Sequence, residues 1–260
     1  RHTRCLSDWS SDVCSSDLED IMSKIIILSG AGVSAESGIS TFRESGGLWD
    51  NYDVNIVCNH DSLDKNESLT LKFYDKRRDD LKDKVPNNTH IIIKELKQKY
   101  PNDISVITQN VDNLFEKAGM NDDEVIHLHG FMTQVRCRED QCARIYNIEY
   151  ESIKDCNNGI CDDCGSKLRP NIVFFGEMAP MYEKLNEELT DCEMFIVIGT
   201  SGNVIGVNTL ANFVDYSILN NLEPSDAIEE SLFSKVLYKK SSIAINEIAE
   251  DIEEFLNSSS

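Results

Sequence analysis

The chain has 260 residues, 40% apolar and 27% charged with five prolines, a composition that suits one large soluble domain or a domain with a satellite. Its apolar runs, such as Ile25 to Leu28 and Met194 to Ile198, fall far below the roughly 20 residues that span a bilayer, so a membrane partner is excluded. Twenty-five basic against 46 acidic side chains leave a formal net charge of −21, which repels nucleic-acid phosphates and attracts lysine-rich segments.

Residues 1–21 repeat Ser-Asp at Ser7-Asp8, Ser11-Asp12 and Ser16-Asp17 and offer little apolar surface. The segment reads as a disordered, adapter-encoded tail, with Met22 as the start of the protein proper. No basic stretch followed by an apolar one opens the chain, so a reducing cytoplasmic compartment is expected. From Lys24 to Ser29 runs a short buried strand, closed by Gly30-Ala31-Gly32, and Ser34 to Ser37 starts a helix. Helices follow around Leu69 to Lys82 and Asn88 to Tyr100, then a buried strand from Ile104 to Thr108, a helix from Asn110 to Ala118 and a strand from Val125 to Leu128. A cysteine-bearing stretch, 131–168, interrupts the alternation. Strands at Asn171 to Phe175, Met194 to Ile198 and Tyr216 to Leu219 resume it, and Ser241 to Leu256 closes as an amphipathic helix. Such alternation predicts an α/β fold with a Rossmann-like parallel sheet.

Strand, glycine-bearing turn and helix in that order form a nucleotide-binding arrangement, because glycine lets the backbone approach a pyrophosphate and the helix start supplies free N–H groups. A plain tight turn explains the same residues. Gln109, Asn110 and Asp112 at a strand's carboxyl end supply donors and acceptors for a ligand, or Asn110 and Asp112 cap the next helix. His127 and His129 share one strand face, and period alone does not choose between them. Cys137-x4-Cys142 and Cys161-x2-Cys164 offer four thiolates, enough for a closed tetrahedral zinc site, with Cys156 in reserve should Cys142 not reach. On a helix Tyr74 and Arg77 are i and i+3 and share a face, where a phenol and a guanidinium suit a carboxylate; alternatively Arg77 and Arg78 solvate an exposed helix.

The run from Gly30 to Arg43, GAGVSAESGISTFR, closely resembles the first signature of the sirtuins, the NAD-dependent protein-lysine deacylases. Further motifs resemble the family in order: Thr108 to Asp112, His127 to Gly130, Leu168 to Glu177, Gly199 to Ser201 and Asn221 to Ser225. Three departures stand out: Ser40 in place of a proline, Ile205-Gly206 in place of an aromatic–proline pair, and Lys239 to Ser241 without the usual glycine near the adenine.

The resemblance implies a Rossmann-like core of residues 22–42, 86–130 and 172–260, a helical insert of 43–85 and a zinc module of 131–171. It implies NAD as cofactor, with Gly30, Ala31, Gly32, Ser34, Ala35, Phe42, Arg43, Gln109, Asn110, Asp112, Gly199, Thr200, Ser201, Asn221, Glu223 and Ser241 about it. A structural Zn2+ ion on Cys137, Cys142, Cys161 and Cys164 goes with it. His129 becomes the general base that takes a ribose hydroxyl proton, and the products are free lysine, nicotinamide and O-acyl-ADP-ribose. The partner is an acylated-lysine protein or peptide pairing edgewise with Val173, Phe174, Phe175, Gly176 and Glu177. The Tyr74/Arg77 pair resembles the branch that removes malonyl and succinyl groups, often with deacetylase activity retained, and small Cys58 leaves room for the longer acyl chain. A monomer is expected. The rival functions are a protein mono-ADP-ribosyltransferase and a non-catalytic module binding NAD or ADP-ribose.

Overall fold

The computed structural model describes residues 25–41 and 52–258. The expected tail (1–21), Met22 and the site candidates Phe42 and Arg43 lie outside the described residues.

Four short, mainly apolar stretches, too short for helices, make the centre of a parallel sheet. β1 (Ile25–Ser29), β2 (Ile104–Thr108) and β7 (Met194–Ile198) are buried at every position, and β8 (Tyr216–Asn221) at all but its first. With β3 (Val125–His127) and β9 (Lys235–Tyr238) they form, among the described residues, a six-stranded all-parallel sheet in the order β3-β2-β1-β7-β8-β9. The strand order reverses between β1 and β7, which lie side by side from Ile25 opposite Met194 to Ser29 opposite Ile198. That crossing point is where open α/β sheets bind ligands.

Helices cover both faces. On one, α5 (Asn88–Lys99) and α9 (Ser241–Ser258) pack Ile93, Leu96, Ile245, Ile248 and Ile252 onto Ile25, Ile27 and Ile196. On the other, α7 (Met181–Glu188) and α8 (Val207–Ala211) bring Leu185 and Val207 onto Ile26, Leu28 and Val197. The alternation of neighbouring residues between these two clusters is the period-two signature of a strand buried on both faces. Two short helices, α1 (Ala31–Ala35) and α6 (Leu114–Lys117), follow β1 and β2.

The cysteine-bearing stretch builds a second, antiparallel sheet from β4 (Gly130–Cys137), β5 (Ile145–Asn147) and β6 (Leu168–Ile172), in the order β5-β4-β6. Here the structure corrects the reading of Asn171 to Phe175 as a return to the parallel sheet. The strand is Leu168–Ile172, and it pairs antiparallel with β4, Cys137 opposite Leu168. The expected helix from Asn110 is also shorter, because residues 110–113 form a loop and α6 begins only at Leu114. α2 (Val54–Val57), α3 (His60–Leu63) and α4 (Glu67–Lys82) pack against the small sheet through Val57, Leu63, Phe73, Tyr74 and Leu81, which meet Met132, Ile172 and Phe174. Among the described residues no helix is long and apolar enough to cross a membrane.

Candidate functional site

The loops after β1 and β7 meet backbone to backbone. The Gly30 N–H donates to the Ile198 carbonyl at 2.9 Å and the Gly32 N–H to the Gly199 carbonyl at 2.8 Å. A Cβ on Gly30 would lie 2.7 Å from the Gly199 oxygen, so no larger residue fits this crossing. α1 starts directly from it, with the positive end of its dipole at Ala31.

Four loops converge there. The Gln109 side chain donates to Thr200 Oγ1 at 3.0 Å, joining the ends of β2 and β7. Asn110 Nδ2 donates to Ser34 Oγ at 3.0 Å, and Ser34 Oγ donates to Asp112 Oδ2 at 2.9 Å. The other oxygen of Asp112 accepts the Leu114 N–H at 3.1 Å. The N-cap of α6 is Asn113, whose side chain makes no cap bond. Asp112 therefore faces the glycine loop while accepting the Leu114 N–H from one residue before the cap, and Asn110 bonds Ser34 rather than the helix. Burial pushes the Asp112 carboxyl above the usual range despite the hydrogen bonds from Ser34 and Leu114. Asn221 Nδ2 donates to the Thr200 carbonyl at 2.9 Å, and Ser225 Oγ to the Ser201 carbonyl at 2.7 Å, so β8 braces the same loop. Glu223 is exposed beyond it. This set of amide, hydroxyl and carboxylate groups at a glycine-lined crossing matches what a dinucleotide's riboses, carboxamide and pyrophosphate require.

Ser241 lies apart from that group. It is buried, takes a hydrogen bond from Thr89 at 3.1 Å and donates to Glu36 Oε1 at 3.2 Å, while Glu36 also accepts the Ser242 N–H at 3.0 Å. Glu36 thus caps α9 and ties it to the end of α1.

The two histidines separate by their partners. His127 Nδ1 meets the Asn110 carbonyl and Nε2 meets Glu116 Oε1, both at 2.9 Å. Both partners are acceptors, so the ring donates from both nitrogens as an imidazolium. Burial alone would lower its pKa, and the bond and charge of Glu116 outweigh burial and raise it. His129 Nδ1 donates to the Gln109 carbonyl at 3.0 Å, which leaves the lone pair on Nε2, and Tyr182 Oη lies 2.9 Å from that nitrogen. Burial holds the His129 ring below the usual imidazole pKa, against the Gln109 bond. Of the pair, His129 is the neutral ring with a basic nitrogen. Gly130 follows at φ +91, where a Cβ would lie 2.0 Å from the Asn171 oxygen; the turn that aims His129 accepts only glycine.

On α4, Tyr74 is buried and stacks on Phe174 with ring centroids 5.5 Å apart, and its hydroxyl donates to Cys58 Sγ at 3.4 Å. Burial pushes the Tyr74 phenol and the Cys58 thiol up, and the Arg77 charge pulls both back in part. Arg77, half-buried, stands 5.7 Å from the Phe73 ring centroid. Phe175 is exposed, Val173 half-buried. The main-chain N–H groups of Val173, Phe174 and Phe175 are engaged within the chain, with the His129 carbonyl, the Glu177 carboxylate and the Cys58 carbonyl. After the left-handed Gly176, the Glu177 carboxylate turns inward to Arg169, the Phe174 N–H and, at 2.9 Å, His60 Nδ1. Burial would raise its pKa, and Arg169 with the Phe174 N–H holds it below the usual range.

The sulfurs of Cys137, Cys142, Cys161 and Cys164 all lie within 4.8 Å of one another, Cys137 and Cys164 at 3.4 Å and Cys142 and Cys161 at 3.6 Å. Zinc–sulfur bonds of about 2.3 Å at tetrahedral angles put sulfurs about 3.8 Å apart, so the four could hold zinc. Cys156 is outside the group, and Cys142 takes the place that spacing left open. Four protein ligands would leave no position for water, so an ion held there would be structural.

Tyr182, Glu116 and Arg78 were not legible as site residues. Tyr182 sits on a short amphipathic helix, and Glu116 contacts His127 only through the fold. Arg78 had one signal, its place beside Tyr74 on α4.

A model of the Sir2 family matches residues 30–206. An "NAD-dependent protein deacylase" of Campylobacter jejuni is 47% identical over 236 residues, covering 90% of this chain and 98% of the relative. Another protein of that name, from Helicobacter hepaticus, is 40% identical, covering 90% of this chain and 99% of its own. Among solved structures, a Sir2 homologue in complex with NAD superposes with a TM-score of 0.77 at 33% identity, covering 91% of this chain and 92% of that one.

Proposed function

The chain belongs to the Sir2 family and is an NAD-dependent protein deacylase, and we propose that it removes lysine acyl groups ending in a carboxylate, succinyl and malonyl above acetyl. One observation carries the acyl preference: Tyr74, stacked on Phe174 beside Cys58, shares its helix face with Arg77, whose charge reaches both the phenol and the thiol. A planar guanidinium next to a phenol in an apolar wall suits a carboxylate far better than it suits a methyl group.

Bound NAD supplies an electrophilic ribose carbon whose leaving group is nicotinamide. The protein's own residues do the rest. The Gly30 and Gly32 N–H groups are spent on Ile198 and Gly199, so the turn's part is to let a pyrophosphate approach the backbone closely at the start of α1. Ser34, Asn110 and Asp112, already bonded to one another, hold the nicotinamide end, while Gln109 and Thr200 serve the adjoining ribose and Asn221 braces the Thr200 loop. His129 receives the ribose hydroxyl proton at Nε2, with Nδ1 fixed by the Gln109 carbonyl. Cys137, Cys142, Cys161 and Cys164 would hold a zinc ion that would cross-link the segments flanking β4 and β6, away from His129.

Mass spectrometry of acetyl-, malonyl- and succinyl-lysine peptides incubated with NAD tests the reading. Faster loss of succinyl and malonyl than of acetyl, with nicotinamide release abolished in His129→Ala, is expected. Acetyl removal alone would reject the acyl preference, and full turnover by His129→Ala would reject the base.

A further inference from the structure

The basic nitrogen of His129 is already engaged. Nδ1 carries the proton that the Gln109 carbonyl accepts, so Nε2 has one lone pair, and the Tyr182 hydroxyl donates to it at 2.9 Å with ring centroids 5.9 Å apart. One lone pair accepts one strong hydrogen bond. A ribose hydroxyl that is to give its proton to Nε2 must first occupy that same place, so the phenol and the substrate exclude each other.

The phenol is not a chance neighbour. Tyr182 packs against the cluster that holds Leu128, Leu185 and Ile205, which fixes the ring while its oxygen reaches the imidazole. It stands in the first turn of α7, whose chain arrives from Val173 to Glu177, the segment tied to the His129 carbonyl at one end and to Arg169 at the other. The segment that the family resemblance assigns to the acyl-lysine peptide therefore leads straight to the group that covers the base.

We propose that Tyr182 is a positioning residue that gates the base: its hydroxyl keeps the His129 ring oriented with Nε2 aimed into the site, and withdraws when the ribose hydroxyl arrives. This rests on the reading of His129 as the base. Before NAD binds, the gate holds the imidazole neutral in one tautomer, and the hydrogen bond it gives up counts against NAD binding.

Tyr182→Phe keeps the ring and removes the hydroxyl. Losing one competing hydrogen bond should lower the KM for NAD about threefold to tenfold with kcat little changed. In NMR titrations of the NAD-free protein, with the His129 signal assigned by its absence from His129→Ala, the His129 pKa should rise. A donor to the lone pair favours the neutral ring, and the variant lacks that donor. A fall in kcat at unchanged KM, or a His129 pKa that does not move, would overturn the gate. Turnover by His129→Ala would overturn the base and the gate with it. Turnover lost in His129→Ala with no change in Tyr182→Phe would overturn the gate alone.

Discussion

Arg78 Nε donates to the Met132 carbonyl at 2.8 Å, from a side chain with no exposed surface, and so pins α4 to β4. Its Nη1 reaches Asp75 at 2.8 Å and the Glu151 carbonyl at 3.2 Å, and Asp75 in turn accepts the Ile153 N–H and the Ser152 hydroxyl. One guanidinium therefore joins α4 to β4 and to the loop that follows β5. Burial lowers the Arg78 pKa and Asp75 opposes the fall. Replacing Arg78 with Met should cost about 3 kcal/mol of unfolding free energy, because two carbonyls and a carboxylate lose their donor inside the protein. Urea denaturation of Arg78→Met measures it, and a loss under about 0.5 kcal/mol would show that water replaces the guanidinium.

Arg77, one residue earlier, is the carboxylate partner in the proposed acyl preference. Arg77→Met should lower kcat/KM for succinyl-lysine peptide more than tenfold, the scale of a lost charge-assisted bidentate bond, and change that for acetyl-lysine less than threefold. Tyr74→Phe should act in the same direction, less strongly, since it keeps the stack on Phe174. Parallel kinetics on the two peptides decide it; equal losses on both would mean that Arg77 only holds α4 in place.

The sequence disclosed those parts of the fold whose burial is local. Met194–Ile198 is an unbroken apolar run, Ile104–Thr108 is apolar but for Ser105 and Thr108, and both are buried from end to end where the sequence pattern put them. β6 deceived because Arg169 and Pro170 look out of place in a strand, and because antiparallel pairing with β4 leaves no mark in its own residues. β9 escaped notice as four residues at the sheet edge, with only Leu237 buried. The glycine loop and the Gln109 to Asp112 group were legible since each is a contiguous motif. The bonds of Tyr182 to His129 and of Glu177 to His60 were not, for both join residues distant in sequence that share no spacing.

The metal cluster yields a stoichiometry. Cys142→Ser should lose bound zinc, measured by elemental analysis of the purified protein, while Cys156→Ser keeps one zinc per chain. Chelation of the wild type should lower Tm and unfold the small sheet before it changes nicotinamide release from the remaining folded fraction, because the sulfurs cross-link the turns flanking β4 and β6. Full zinc content in Cys142→Ser would mean that Cys156 moves in to replace it.

His90 sets the acid limit of the fold. It is fully buried on α5, stacks edge-on to Phe115 at 4.9 Å and accepts the Asn87 N–H at Nδ1, while Asn87 itself donates to the Val33 carbonyl behind the glycine loop. Burial, opposed by the Asn87 bond, lowers its pKa to about 4, against about 6.5 in an unfolded chain. Below pH 6.5 the unfolded chain takes up a proton that the fold refuses, so this residue's share of stability is intact above that pH and drains away down to about 4. The whole loss is on the order of 3 kcal/mol. Comparing urea unfolding free energies at pH 7 and pH 4.5 for the wild type and His90→Leu isolates it: the wild type should lose more than the variant, and parallel losses would place the acid sensitivity elsewhere.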